Sequence, residues 1–100
     1  MELEDWRKRI DMIDLKILEL LNERARYSFE IGKIKQRTHL PIYMPERENQ
    51  IYTTLEKANH GPLTDAAVRR LFERIIDESR QLESKCKTLV SQRLEMKENK

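Results

Sequence analysis

Between Trp6 and Lys35 the chain holds no proline and one glycine, Gly32, while apolar side chains recur with a helical period. Positions 10, 13, 17, 20, 24, 27, 31 and 34 step alternately by three and four, which lays one continuous stripe along a helix. Ile10, Ile13, Ile17, Leu20, Ile31 and Ile34 fill most of it, with Leu21 beside. A helix of about 33 residues is near 50 Å long. A compact monomer of this size has a radius of gyration near 13 Å. The rest of the chain cannot cover such a stripe over its whole length. Either the helix breaks, or a second copy of the chain covers the remainder. No break signal lies between Trp6 and Lys35, so an intertwined homodimer is expected, its two long helices packed together. A bent three-helix monomer is the alternative.

Two residues interrupt the stripe. Tyr27 is an ordinary semi-buried residue. Arg24 is not, because arginine is almost never fully buried without a partner. Lys35 lies about 20° round the same face and roughly 16 Å further along, with Ser28 and Ile31 between. One face of a long helix thus carries two cations where a core is expected.

The remaining chain reads as two more helices, giving an all-α fold with three helices per chain. The first helix starts near Leu3 to Asp5, where Glu2, Glu4 and Asp5 suit the positive end of the helix dipole, and ends near Arg37. Pro41 disfavours helix at Leu40, and Ile42 and Tyr43 read as an extended connector. Pro45 opens the second helix as an N1 proline with Glu46 and Glu48 in its first turn. Ile51, Leu55 and Ala58 form its apolar stripe, and Arg47 and Glu48 border it. Asn59-His60-Gly61-Pro62 ends it, with Gly61 as the expected C′ residue and His60 as a solvated cap. Thr64 caps the third helix. Val68, Leu71, Phe72, Ile75, Ile76, Leu82, Cys86, Leu89 and Val90 form its wide apolar face, interrupted by Ser79 and Glu83. A buried glutamate needs a partner. Residues 91–100 are expected to fray.

The whole chain, 1–100, is one domain. Its 20 Lys+Arg face 18 Asp+Glu, a net charge of only +2, and the two signs are interleaved. Nucleic-acid binding needs cations clustered on one surface, so no nucleic-acid partner is expected. Cys86, the lone cysteine, cannot form an intrachain disulfide and suits a buried apolar position. No signal peptide or membrane span is legible, so the expected location is cytoplasmic, with no membrane partner.

Arg24, Lys35, Arg47, Glu48, Ser79 and Glu83 all violate the core pattern, and they come from all three helices. One misplaced charge is usually snorkelling or a surface pair. Several cations and two acids aimed at one interior call for a polar ligand, and the cation excess points to an anion, most plainly a carboxylate matched by arginines. No glycine-rich phosphate loop, metal-ligand spacing or nucleophile–base set is visible, so no metal or cofactor is expected. Arg7 lies roughly 25 Å before Arg24 along the helix. It cannot share a pocket with Arg24 of its own chain, but it can reach the pocket of an antiparallel partner. From residues alone, the chain is a small helical domain that binds a small dianion.

The pattern Arg7-x-x-Ile10-x-x-Ile13-Asp14-x-x-Ile17-Leu18-x-Leu20-Leu21-x-x-Arg24, Ile31-Gly32-x-x-Lys35, Pro45-x-Arg47-Glu48 and Leu71-Phe72-x-x-Ile75-Ile76-x-x-Ser79 resembles the all-helical, type II class of chorismate mutases. The likeness spans about residues 4 to 90. It implies two intertwined chains with two equivalent sites, and the Claisen rearrangement of chorismate to prephenate in phenylalanine and tyrosine biosynthesis. That step is pericyclic and needs no base, nucleophile or metal. The protein holds the enolpyruvyl arm over the ring and stabilises charge developing on the ether oxygen.

By matching positions, Arg24 resembles the clamp on one substrate carboxylate, and Arg7 of the partner chain the clamp on the other. Lys35 resembles the donor to the ether oxygen. Glu48 resembles the acceptor for the ring hydroxyl, with the Met44 main-chain N–H beside it. Arg47 resembles a residue holding the acids and the helix start, and Ser79 one bonding a carboxylate. Two positions depart from the bacterial pattern. Met44 replaces an Asp, leaving only a backbone contact. Glu83 replaces a Gln that donates to the ether oxygen, so it must be protonated to serve. Burial favours the protonated carboxyl and neighbouring cations the ionised one. Within the fold the alternative is an isochorismate–pyruvate lyase. Outside it stands a non-catalytic helical dimerisation module, in which the interior charges pair among themselves.

Overall fold

A computed structural model describes the backbone of residues 1–98 and the side chains as far as Cys86. Three helices follow in order: α1 over Leu3–Thr38, α2 over Pro45–Ala58 and α3 over Asp65–Glu98. Among the described residues there is no strand. No helix there is long and apolar enough to cross a membrane.

α1 is one unbroken helix of 36 residues. The Glu2 N–H donates to the Asp5 carboxylate at 2.9 Å, which supplies an acceptor to an end that lacks one. At the other end His39 takes the left-handed conformation at φ 58°. That turn lets the Leu40 N–H reach the Lys35 carbonyl at 3.0 Å and sends the chain back toward the helix. Pro45 stands at the start of α2. The α2 C-cap is Asn59, so Gly61, expected at C′, lies one residue beyond that position. Asn59 organises the turn instead: its amide donates to the Leu63 carbonyl and the Asp65 carboxylate, and its carbonyl accepts the Gly61 N–H. Gly61 holds φ at +77°, a value glycine adopts without strain. Thr64 caps α3 by accepting the Ala67 N–H at 3.1 Å.

The frayed tail expected over 91–100 is helical as far as Glu98. Nothing between Val90 and Glu98 stops a helix, and Arg93, Leu94, Glu95 and Lys97 favour one. Residues 99 and 100, like the side chains of Leu89 and Val90, lie outside the described residues.

α3 packs against both other helices. It runs in the same direction as α1, because Arg24 meets Ser79 and, further along both, Lys35 meets Glu83. They come close at Gly32, which is buried together with Ser28 one turn before it. A methyl added at Gly32 would lie 3.0 Å from the Glu83 Cα and 3.2 Å from the Cys86 Cβ. Gly32→Ala is therefore expected to force α1 and α3 apart. Overpacking costs about 1–3 kcal/mol, and the better helix propensity of alanine returns up to about 1 kcal/mol. A urea melt should show a net loss, and a variant as stable as the parent would mean that the helices are not in contact there.

The core of a single chain is small. Tyr52, Ile76 and Cys86 are its buried apolar residues among those described. Tyr52 lies under the Arg69 guanidinium, 4.2 Å from the ring centre. The radius of gyration is 18.1 Å and the longest extent 65 Å, well beyond the roughly 13 Å radius of a compact domain this size. The first half of the α1 stripe lies open, with Ile10, Ile13, Ile17 and Leu20 exposed by 59, 56, 47 and 63%. Tyr27, expected to be semi-buried, is 60% exposed, and its hydroxyl donates to Glu23.

Candidate active site

The helical period brings Arg24, Ser28, Ile31 and Lys35 to one face of α1, and Ile76, Ser79, Arg80 and Glu83 to one face of α3. The α1–α2 connector and the first turns of α2 close the space between them with Ile42, Met44, Arg47, Glu48 and Ile51. These residues line a hollow of about 340 Å³. Every site residue expected from the sequence lines it except Arg7. On the outer part of α1, Arg7 pairs with Glu4 at 2.8 Å, both side chains mostly exposed.

Lys35 and Glu83 form the inner wall. The ammonium donates to Glu83 Oε2 at 3.1 Å and to the Ile42 carbonyl at 3.0 Å, and the two side chains are only 12 and 9% exposed. Lys35 thereby anchors the connector as well as the acid. A third N–H of the ammonium remains for another acceptor.

Arg24 donates through Nη1 to the Ser79 hydroxyl, which donates its own proton to the Ile75 carbonyl one turn back at 3.1 Å. Ser79, expected to bond a ligand carboxylate, lines the hollow with its proton turned to the Ile75 carbonyl and its oxygen to Arg24. Burial lowers the Arg24 pKa from its ordinary value, and the charge of Arg47 adds to the effect, with Glu83 opposing both. Two guanidiniums facing one hollow stabilise each other poorly and would gain from an anion between them.

Arg47, expected to hold the acids in place, has no ion pair among the described residues. Glu48 pairs instead with Arg80, whose Nε lies 3.4 Å from Glu48 Oε2. Arg80 also lies over the Tyr43 ring at 5.3 Å. Arg80 is the site residue that sequence reasoning misses. Its signal was its spacing: four after Ile76 and three before Glu83, it shares their face. Adjacent to Ser79 in a helix rich in exposed arginines, it passes for a solvated residue.

The charges then sort themselves. Lys35 answers Glu83 and Arg80 answers Glu48. Arg24 and Arg47 remain, without a carboxylate within ion-pair distance among the described residues. The hollow carries two surplus positive charges above a donor wall, which fits a doubly negative ligand.

The chain is similar to known proteins over most of its length. A family model described as chorismate mutase type II matches residues 6–84. A chorismate mutase from Methanocaldococcus jannaschii is 34% identical over 82% of this chain and 84% of its own. A bifunctional chorismate mutase/prephenate dehydratase from Aquifex aeolicus is 41% identical over 86% of this chain. This chain spans only 25% of that longer relative. Among solved structures, form II of the Thermus thermophilus chorismate mutase superposes with a TM-score of 0.81, at 38% identity, covering 82% of this chain and 93% of that one. A Helicobacter pylori chorismate mutase in complex with prephenate gives 0.77 at 28% identity, over 84% of this chain and 91% of that one.

Proposed function

The chain belongs to the type II chorismate mutase family, and from that premise we propose that it rearranges chorismate to prephenate in aromatic amino-acid biosynthesis, as a cytoplasmic homodimer. The observation that carries this is the pair of surplus guanidiniums, Arg24 and Arg47, beside the Lys35–Glu83 wall. A dimerisation module would pair the charges that it buries, yet half-buried Arg24 has no carboxylate within ion-pair distance among the described residues, and exposed Arg47, which lines the same hollow, has none either. This hollow leaves two cations over for the two carboxylates of chorismate.

In this reaction the ether C–O bond breaks as a C–C bond forms, and no proton is transferred. The protein contributes a folded substrate pose and a field at the ether oxygen. Arg24, held by Ser79, grips one carboxylate, and Arg47 strengthens the positive field beside it. Lys35 presents its remaining N–H to the ether oxygen. Glu48 and the Met44 N–H take the ring hydroxyl.

A second copy supplies Arg7. Antiparallel packing of two α1 stripes would bury the exposed isoleucines, each worth about 1.5–3 kcal/mol when fully covered. It would also bring the partner's Arg7 toward Arg24. The Arg7–Glu4 pair is a surface ion pair, worth roughly 0–1 kcal/mol, and gives way readily to a substrate carboxylate.

Glu83 holds Lys35 in place, accepting from its ammonium through Oε2 at 3.1 Å. An amide at this position would still accept from Lys35 and would add a donor of its own. The test is prephenate formation from chorismate: the parent should turn over, and Glu83→Gln should keep a rate within about tenfold of it. A Glu83→Gln rate lower by about a hundredfold would make the carboxylate itself indispensable, and absence of prephenate from the parent would remove the function.

A further inference from the structure

Glu48 meets its cation in an unusual way. Arg80 approaches side-on: its Nε is 3.4 Å from Glu48 Oε2, yet that buried Nε makes no hydrogen bond. The contact is one of charge, not of a shared proton. The Glu48 carboxylate, only 15% exposed, accepts no side-chain hydrogen bond among the described residues, so its lone pairs stay open toward the hollow. Its backbone is fixed, since the Glu48 N–H donates to the Met44 carbonyl at 3.1 Å. Arg80 is itself held over the Tyr43 ring of the connector, a contact that suits a guanidinium plane. Arg80 thus ties the connector, α2 and α3 together at one carboxylate.

We propose that Arg80 is a positioning residue that aims the Glu48 carboxylate at the hydroxyl of a ring-borne dicarboxylate, giving the site its preference for a hydroxylated ring. The inference rests on the dicarboxylate reading of the hollow. Arg80 attracts the carboxylate without consuming its acceptors, and Glu48 spends them on the ligand hydroxyl. A bidentate arginine would do the opposite, occupying both oxygens.

Two bicyclic, transition-state-shaped diacids, one with the ring hydroxyl and one without, separate this role from simple structural support. Calorimetry on the 100-residue chain should show the parent binding the hydroxylated diacid about tenfold more tightly, the scale of one hydrogen bond to a charged acceptor. Arg80→Met should bring the two affinities within about twofold, chiefly by weakening the hydroxylated ligand. Arg80→Gln carries the same expectation should Arg80→Met fail to fold. Arg80→Lys, which keeps the charge, should recover part of the preference. Glu48→Gln should lack the preference already, and adding Arg80→Met to it should change the ratio no further. A preference that survives both neutral variants, or an equal loss for both ligands, overturns the role of Arg80. Failure of the parent to bind either diacid overturns the dicarboxylate reading itself, and this proposal with it.

Discussion

Replacing Lys35 with alanine is expected to lower kcat by about a thousandfold, the upper range for loss of one preorganised donor at a developing charge. KM should rise far less, because the carboxylate grips proposed for Arg24 and Arg7 are untouched by the change. The geometry sets this asymmetry. Lys35 is spent on Glu83 and the Ile42 carbonyl, so only one N–H is left, and in the proposed pose that one meets the oxygen where charge grows. The variant carries a second consequence. It strands Glu83 in a buried position, and breaking a buried pair costs about 3–5 kcal/mol when the orphaned group stays charged. A slow variant could therefore be a poorly folded one. The double variant Lys35→Ala/Glu83→Gln separates the two effects. It removes the orphaned charge, so thermal stability should return while kcat stays low. A kcat within tenfold of the parent in folded Lys35→Ala would remove Lys35 from the chemistry, and recovery of rate along with stability in the double variant would do the same.

Most of this site was legible because its residues break a pattern. The alternation of three- and four-residue steps in α1 is strong enough that Arg24 and Lys35 stand out against it, and Ser79 and Glu83 stand out in α3 for the same reason. The helix period places each on a face, and the face is enough to gather them. What a period does not carry is which side chain meets which. Arg80 shares the face of Ile76 and Glu83, but its partners Glu48 and Tyr43 lie more than thirty positions earlier, on elements whose approach is fixed only by packing. Ser79 was visible as a hydroxyl in an apolar face. Its proton going to Ile75 and its oxygen to Arg24 depends on a rotamer and on how closely α1 approaches. Room for that approach comes from the buried Gly32, where a side chain would meet the Glu83 backbone. The anchoring of Lys35 to the Ile42 carbonyl follows from the left-handed turn at His39, a conformation histidine adopts seldom.

Arg7→Ala and Arg24→Ala should each lose activity by about a hundredfold or more as purified proteins, and the two mixed through a common refolding step should regain it. The reason lies in α1. Arg7 and Arg24 sit about 25 Å apart on the same rigid helix, which is unbroken from Leu3 to Thr38, so no bend can bring them to one ligand within a chain. If each site takes Arg24 from its own chain and Arg7 from the other, a mixed dimer concentrates both defects in one site and leaves the other intact. Equal mixing makes half the dimers mixed, so the refolded sample should reach about a quarter of the parent activity, a large rise over either variant alone. The exposed stripe of Ile10, Ile13, Ile17 and Leu20 supplies the reason for the chains to associate, and sedimentation should find a species of twice the 12.1 kDa chain mass. A mixture no more active than its components would mean that Arg7 does not cross to the partner's site. In that case the second carboxylate would have to be held by cations of the same chain, with Arg47, the unpaired guanidinium beside Arg24, first among them.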